Sequence, residues 1–141
     1  MRKVLCVAAL VVAMLVLAGC DVSWLIRYPG IVSGTLTFSS SPGRWLDVSV
    51  FAGSQSGQTI TVRTGEVRLR TYGEDTPFAI PDVWEGTYSV FAWEDANSNS
   101  TVDPGEWFGR TDGVTVRNGH ATAGVVVNVS QYSGQPIQVR R

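Results

Sequence analysis

Apolar and polar residues alternate through most of the chain after residue 30, and this alternation predicts β-strands. Between Val32 and Phe38, the polar residues Ser33, Thr35 and Thr37 occupy every second position. Period-two alternation with one apolar face is typical of a strand that buries one side. Similar short segments occur near residues 46–52, 60–62, 67–70, 78–80, 87–93, 114–116 and 123–129. No stretch repeats apolar residues with the 3.6-residue period of a helix. The pattern therefore predicts about seven strands, arranged as an all-β, antiparallel β-sandwich over residues 30–130.

Individual segments predict where each strand lies in the sheet. Residues 87–93 carry aromatic or β-branched side chains on both faces, which indicates a central strand. Pro77 and Pro81 flank another apolar segment, and proline is confined to sheet edges. Asn118-Gly119 is a strong hairpin signal. The final residues, 131–141, are mostly polar and are predicted to form a flexible tail.

The first 19 residues have the pattern of a secretory signal. Arg2 and Lys3 precede fourteen residues without a charge, and small residues follow. A positive start, an apolar core of about 7–15 residues and a small-residue cleavage site define such signals. The apolar run is shorter than the roughly 20 residues that a membrane-spanning helix needs.

The end of this segment resembles the bacterial lipobox. Leu17-Ala18-Gly19-Cys20 matches the pattern Leu-Ala/Ser-Gly/Ala-Cys, directly after the apolar core. The resemblance implies cleavage before Cys20 and attachment of lipid to its thiol, which anchors the protein to a membrane of the bacterial envelope, outside the cytoplasm. Asp21 resembles the inner-membrane retention signal of enteric-type Gram-negative bacteria. The alternatives are an ordinary signal peptide or an uncleaved anchor.

Removing the signal leaves a mature chain with no disulfide. Cys6 departs with the signal and Cys20 carries the lipid, so neither cysteine is left to form one. Nine arginines face twelve acidic residues, a net charge of −3. That balance gives no basic patch for a nucleic acid.

Residues 20–29 are predicted to be a short tether behind the lipidated cysteine. Trp24, Leu25 and Ile26 make this segment apolar. They either lie in the membrane interface, where tryptophan is favoured, or cover one end of the folded domain. The sequence leaves both alternatives open.

A candidate metal site lies in the polar segment 95–106, between two predicted strands. Oxygen-bearing side chains recur at positions one, three, five, nine and twelve of this segment, and the seventh residue would contribute its backbone carbonyl. This is the ligand register of an EF-hand-type calcium loop. The six candidate ligands are Asp95, Asn97, Asn99, Thr101, Asp103 and Glu106.

The chemistry of calcium explains this spacing. Ca²⁺ takes six to eight oxygens at about 2.3–2.6 Å, and a coiled loop directs alternate side chains inward. Ser100 occupies the position at which the EF-hand loop has glycine with a positive φ, so we expect backbone strain there. The alternative is a polar hairpin loop, rich in Asx turns, that holds no metal.

Several segments together resemble known β-sandwich families. Residues 31–36 resemble the opening strand of bacterial carboxypeptidase-regulatory-like and prealbumin-like domains, and residues 80–90 resemble their strand entry around Gly-Thr-Tyr. Residues 95–106 resemble the calcium loop of B-type repeats in staphylococcal adhesins. The resemblance covers about residues 30–129 and implies a small, non-catalytic envelope module that calcium stiffens.

The sequence is also compatible with two other functions. Trp84 and Trp107 fall near predicted loops and could form a sugar-stacking platform of a carbohydrate-binding module, although tryptophans more often fill the core. An accessory role in an envelope protein complex is a further alternative, with an exposed strand edge as the docking surface. Catalysis is not expected, because His120 is the sole histidine and follows a turn.

Overall fold

The computed structural model describes residues 26–141 and contains ten strands in that range. Their bounds are β1 Gly30–Phe38, β2 Leu46–Ser56, β3 Thr59–Val62, β4 Val67–Thr71, β5 Thr76–Val83, β6 Gly86–Trp93, β7 Thr101–Val102, β8 Trp107–Val116, β9 Ala121–Gln131 and β10 Ile137–Arg140. The predicted all-β class is confirmed, whereas the estimate of about seven strands is too low. The predicted signal segment, Cys20, Asp21 and residues 22–25 lie outside the described residues.

All ten strands belong to one curled, mixed sheet. Its order is β5-β1-β9-β8-β6-β2-β3-β10-β7, and β4 pairs with β2 beside that path. Most neighbours are antiparallel, but β1 runs parallel to β9 and β10 runs parallel to β3. The turn around Asn118-Gly119 connects β8 to β9, and these strands pair antiparallel at their far ends, where residues 107–109 lie opposite residues 129–131.

Strands β2 and β6 are buried on both faces, which makes them the centre of the fold. Val90 and Ala92 of β6 contribute to a large apolar cluster, whereas Phe91 and Trp93 contribute to a second cluster. The alternation arises because successive side chains of a strand point to opposite faces. The prediction of a central strand at residues 87–93 is therefore confirmed.

The C-terminal residues correct one sequence-based expectation. We expected residues 131–141 to be a flexible tail, but Ile137–Arg140 form β10, which pairs with β3 and β7. Ile137 and Val139 are buried in the second cluster. Their apolar surface covers the outer face of β2 and β6, and this burial holds the segment on the sheet.

Strand β5 lies at one end of the sheet order, as its prolines predict. Pro77 and Pro81 lack a backbone N–H, so they are compatible with a strand that has a neighbour on one side only. Next to β5, Gly34 of β1 allows β9 to approach closely. A Cβ atom at Gly34 would lie 1.7 Å from the carbonyl oxygen of Val125, so a larger residue would displace the backbone.

Across residues 26–141, no helix has the length and apolar character needed to cross a membrane.

Candidate functional site

The segment 95–106 forms a loop at one end of the sheet, between β6 and β8. Backbone hydrogen bonds fix its base: the N–H of Glu94 donates to the carbonyl of Trp107 at 2.9 Å, and the N–H of Tyr132 donates to the carbonyl of Glu106 at 2.7 Å. Thr101 begins β7 and pairs with Gln138 of β10. The loop is therefore held by β8, by β10 and by the residue that follows β9, although its outer residues are exposed.

Glu106 anchors the loop to the apolar core. Its side chain is buried, and its two carboxylate oxygens accept three N–H bonds. The indole N–H of Trp93 donates at 2.9 Å, and the backbone N–H groups of Ala96 and Asp103 donate at 2.9 and 3.0 Å. A buried carboxylate needs such donors to offset the loss of water. Glu106 thus joins the start, middle and end of the loop.

Asp95 coils the first half of the loop around its own carboxylate. One oxygen accepts the backbone N–H of Asn99 at 3.0 Å and the other accepts that of Ser100 at 3.1 Å. The chain can turn this tightly because Ser98 and Ser100 both have a φ of 59°. The expected positive φ at Ser100 is confirmed, and such left-handed serines carry local strain.

Asn97 and Asn99 extend the coil and then reach across the loop to Asp103. Their side-chain oxygens accept the backbone N–H groups of Asn99 and Thr101, at 3.1 and 2.8 Å. Their amide groups both donate to one carboxylate oxygen of Asp103, at 2.9 and 2.7 Å. These two bonds lower the pKa of Asp103 below its ordinary value, because they stabilise the charged carboxylate.

The six candidate ligands meet some of the requirements of a bound cation. Every donor is a hard oxygen, the type that Ca²⁺ prefers. The oxygens of Asp95, Asn97 and Asn99 each accept one N–H, and a carbonyl or carboxylate oxygen has two lone pairs. However, the described residues contain no group of three or more His, Cys, Asp or Glu side chains arranged to hold a metal. The donor chemistry fits calcium, but the carboxylates have not converged.

A polar cavity of about 300 Å³ lies beside the loop. Asp95, Ser98 and Ser100 line it from the loop, and its other lining residues include Arg68 of β4 and Arg141, which follows β10. Arg141 donates to Ser100 at 3.2 Å and forms an ion pair with Glu66 at 3.1 Å. The hydrogen bond to Glu66 raises the pKa of Arg141, and the charge of Asp95 adds to this. The loop therefore faces a positive group on this side.

A second ion pair fixes the base of the loop. Both terminal guanidinium nitrogens of Arg44 donate to the carboxylate of Glu94, at 2.6 and 2.8 Å. Glu94 is buried, and its bidentate pairing offsets the cost of burying its charge. The adjacent acidic residues Glu94 and Asp95 therefore have separate partners, since Asp95 binds backbone N–H groups of its own loop.

The structure separates the two tryptophans of the predicted sugar platform. Trp84 is 52% exposed, but Trp107 is only 3% exposed and packs against Phe38 in the core. The prediction of a sugar-binding platform made of both side chains is therefore wrong. Trp107 begins β8 with its side chain on the core face, which its position near a loop did not reveal.

The exposed aromatic pair is instead Trp45 and Tyr72. Their rings are 5.6 Å apart in an edge-to-face arrangement, and the guanidinium of Arg70 lies 5.5 Å from the ring centre of Trp45. Trp45 is 55% exposed and Tyr72 is 44% exposed. The two residues are 27 positions apart in the sequence and meet because Leu46 pairs with Thr71. Sequence reasoning missed the pair, since only this register reveals it.

The sequence matches no protein-family model, and no matching curated protein or solved structure was found.

His120, the sole histidine of the chain, lies exposed in the turn between β8 and β9.

Proposed function

We propose that this protein is a lipid-anchored lipoprotein of the bacterial envelope, and that its β domain is a non-catalytic binding or structural module stabilised by calcium. The observation that carries the calcium part is the hydrogen-bond network of the loop. It joins the side chains of Asp95, Asn97, Asn99, Asp103 and Glu106 to one another or to backbone N–H groups, within twelve residues of chain. These are the side chains that the ligand register selects.

The loop residues would have distinct roles toward calcium. Asp95 and Asp103 would bring negative charge from opposite halves of the loop, and Asn97, Asn99 and the Thr101 carbonyl would add neutral oxygens. Glu106 would close the site from the core side. Bound calcium would supply positive charge that neutralises these carboxylates. Because it would bind the folded loop alone, it would raise the stability of the domain by mass action.

The same proposal includes the finer fold, a prealbumin-like β-sandwich. The support is the distribution of the larger core cluster, which takes side chains from β1, β5 and β9 as well as from β2, β6 and β8. In a sandwich, the inner faces of two layers share one core in this way. A solution structure in which β5, β1 and β9 face β2 and β4 across that core would support it.

Calorimetric titration of residues 21–141, which include every described strand, tests the calcium site. We expect one calcium ion per chain with Kd of ~10⁻⁴–10⁻³ M, the range of extracellular modules. Asp95→Asn and Asp103→Asn, which keep the side-chain shape, should weaken binding at least tenfold. Asp75→Asn is the matched control, because Asp75 is exposed in the turn before β5. Equal binding by all four proteins would contradict the assignment.

The lipid anchor rests on the sequence motif around Cys20 and needs its own experiment. Mass spectrometry of protein expressed in a bacterium should find an N-terminal Cys20 carrying diacylglycerol. Cys20→Ser should abolish both the lipid and the recovery of the protein with membranes. An unmodified chain that still begins at Met1 would refute the anchor without affecting the calcium site.

A glycan-binding role is a second candidate, which the exposed Trp45–Tyr72 pair favours. Aromatic side chains with a nearby guanidinium can stack on sugar rings and donate hydrogen bonds to their hydroxyls. Binding to a glycan array that Trp45→Ala removes and Trp84→Ala retains would support this role. Retention by both variants would refute it.

A further inference from the structure

The end of the domain opposite the calcium loop combines the exit of the N-terminal chain with several exposed apolar side chains. The start of β1, the end of β5, the start of β6 and the end of β8 lie together, because Gly30 pairs with Val83 and Gly86 pairs with Val116. Three of these exposed side chains are Ile26, Tyr28 and Trp84, at 49%, 59% and 52%. We call these three residues the basal patch.

The N-terminal segment that carries Ile26 and Tyr28 is hydrogen-bonded to the turn between β8 and β9. The side-chain oxygen of Asn118 accepts the N–H of Tyr28 at 2.6 Å, and its amide donates to the carbonyl of Ile26 at 2.9 Å. Gly119 donates its N–H to the carbonyl of Tyr28 at 2.9 Å. Ile26 and Tyr28 are therefore held on the same end of the fold as the turn that carries Trp84.

The proposed anchor places this end beside the membrane. Five residues lie between Cys20 and Ile26, and the six fully extended Cα–Cα steps that join these two residues span about 20 Å at most. Ile26 of the basal patch therefore cannot lie farther than this from a lipid surface that holds Cys20. The calcium loop lies beyond Trp93, at the other end of β6, about 23 Å away along the strand.

We propose that the basal patch inserts into the lipid interface, so that the domain docks on the membrane with the calcium loop directed away from it. This inference rests on the proposed lipid anchor. Tryptophan and tyrosine favour the membrane interface, because their rings are apolar and their N–H or O–H groups reach water.

Charge is not expected to drive this docking. Arg27 and Arg117 lie near the basal patch with exposed side chains, but so do the acidic residues Asp82 and Glu85. Two positive and two negative groups leave no net charge for attraction to anionic lipids. Docking at neutral pH should therefore depend on apolar contact and change little with lipid charge.

Fluorescence quenching in vesicles tests the proposal with the lipidated mature protein, obtained by expressing the full-length chain. Glu85→Cys and Ala96→Cys would each carry one environment-sensitive fluorophore, since the lipidated mature chain has no other free thiol. The vesicles contain phosphatidylcholine, with or without phosphatidylglycerol, and lipids that carry a quencher at a shallow acyl position. We expect at least twofold stronger quenching at position 85 than at position 96, in both kinds of vesicle.

A matched pair of double variants separates patch contact from simple anchoring. Tyr28→Ser with Trp84→Ser should reduce quenching at position 85 to the level at position 96. Tyr72→Ser with Trp45→Ser, the same residue types at the loop end, should leave it unchanged. Equal quenching at both positions in protein that floats with the vesicles would overturn the docking proposal but not the anchor. Protein that lacks lipid and does not float would overturn the anchor, and the docking proposal with it.

Discussion

The indole N–H of Trp93 donates a hydrogen bond of 2.9 Å to a carboxylate oxygen of Glu106, and both side chains are buried. Trp93 is the last residue of β6 and Glu106 directly precedes β8, so this bond closes the loop at its base. It connects the polar loop to the aromatic cluster that contains Phe51 and Phe91. The loop is thus a rigid extension of the core at its base and a solvent-exposed coil at its tip.

Loss of the Glu106 carboxylate should destabilise the domain even without calcium. Glu106→Gln would replace one of the two acceptor oxygens with an NH₂ group, although three N–H groups donate to this side chain. A buried N–H group left without an acceptor costs about 1–3 kcal/mol of stability. Urea unfolding in EDTA should show a loss of that size, whereas Glu85→Gln, at an exposed position, should change stability by less than about 0.5 kcal/mol. Equal stability of wild type and Glu106→Gln would show that the three bonds do not form in solution.

Asp103 should make stability depend on acid pH. Its pKa in the folded protein lies below the ordinary value of 3.8, because Asn97 and Asn99 donate to the charged form. The folded state therefore gains stability at pH above 3.8 and loses it as the pH falls through the lowered pKa. In EDTA, the melting temperature of Asp103→Asn should fall less steeply below pH 4 than that of wild type. Asp75→Asn should retain the wild-type slope, and parallel curves for all three proteins would argue against the Asp103 bonds.

Strand β10 should be a required part of the fold. Ile137→Ala removes buried apolar surface from the second cluster and should cost about 2–4 kcal/mol. Val126→Ala is the control, because Val126 is 48% exposed on β9 and its truncation should cost little. A cost below about 0.5 kcal/mol for Ile137→Ala would restore the flexible tail that the sequence predicted.

The two tryptophans of the predicted platform should differ sharply in their effect on stability. Trp107→Ala should cost about 3–5 kcal/mol, because its ring packs in the core, whereas Trp84→Ala should stay within about 0.5 kcal/mol of wild type. Denaturant unfolding of both variants measures the difference. Comparable costs would mean that Trp84 also packs against the domain.

Sequence patterns predicted the features that depend on local chemistry. Alternation identified β1, and apolar side chains on both faces identified β6 as central. Pro77 and Pro81 placed β5 at an edge, because a missing N–H limits pairing wherever it occurs. The ligand register also predicted the positive φ of Ser100, since that position of the loop must reverse the chain.

Features that depend on distant partners were not predictable in this way. Strand β10 has only four residues, and its partners β3 and β7 lie far away in the sequence. The arrangement that buries Trp107 and exposes Trp45 depends on how the sheet curls. The salt bridge of Arg141 with Glu66 joins residues 75 positions apart, and no local pattern marks it.

Thermal unfolding with and without calcium tests the central claim most directly. At a calcium concentration ten times Kd, binding to the folded state should add about 1.4 kcal/mol and raise the melting temperature by about 5 °C relative to EDTA. Asp95→Asn should lose this rise, and the control Asp75→Asn should keep it. If wild type melts at the same temperature in EDTA and in saturating calcium, the loop is a polar hairpin that its own hydrogen bonds complete, and the calcium-stabilised module is contradicted.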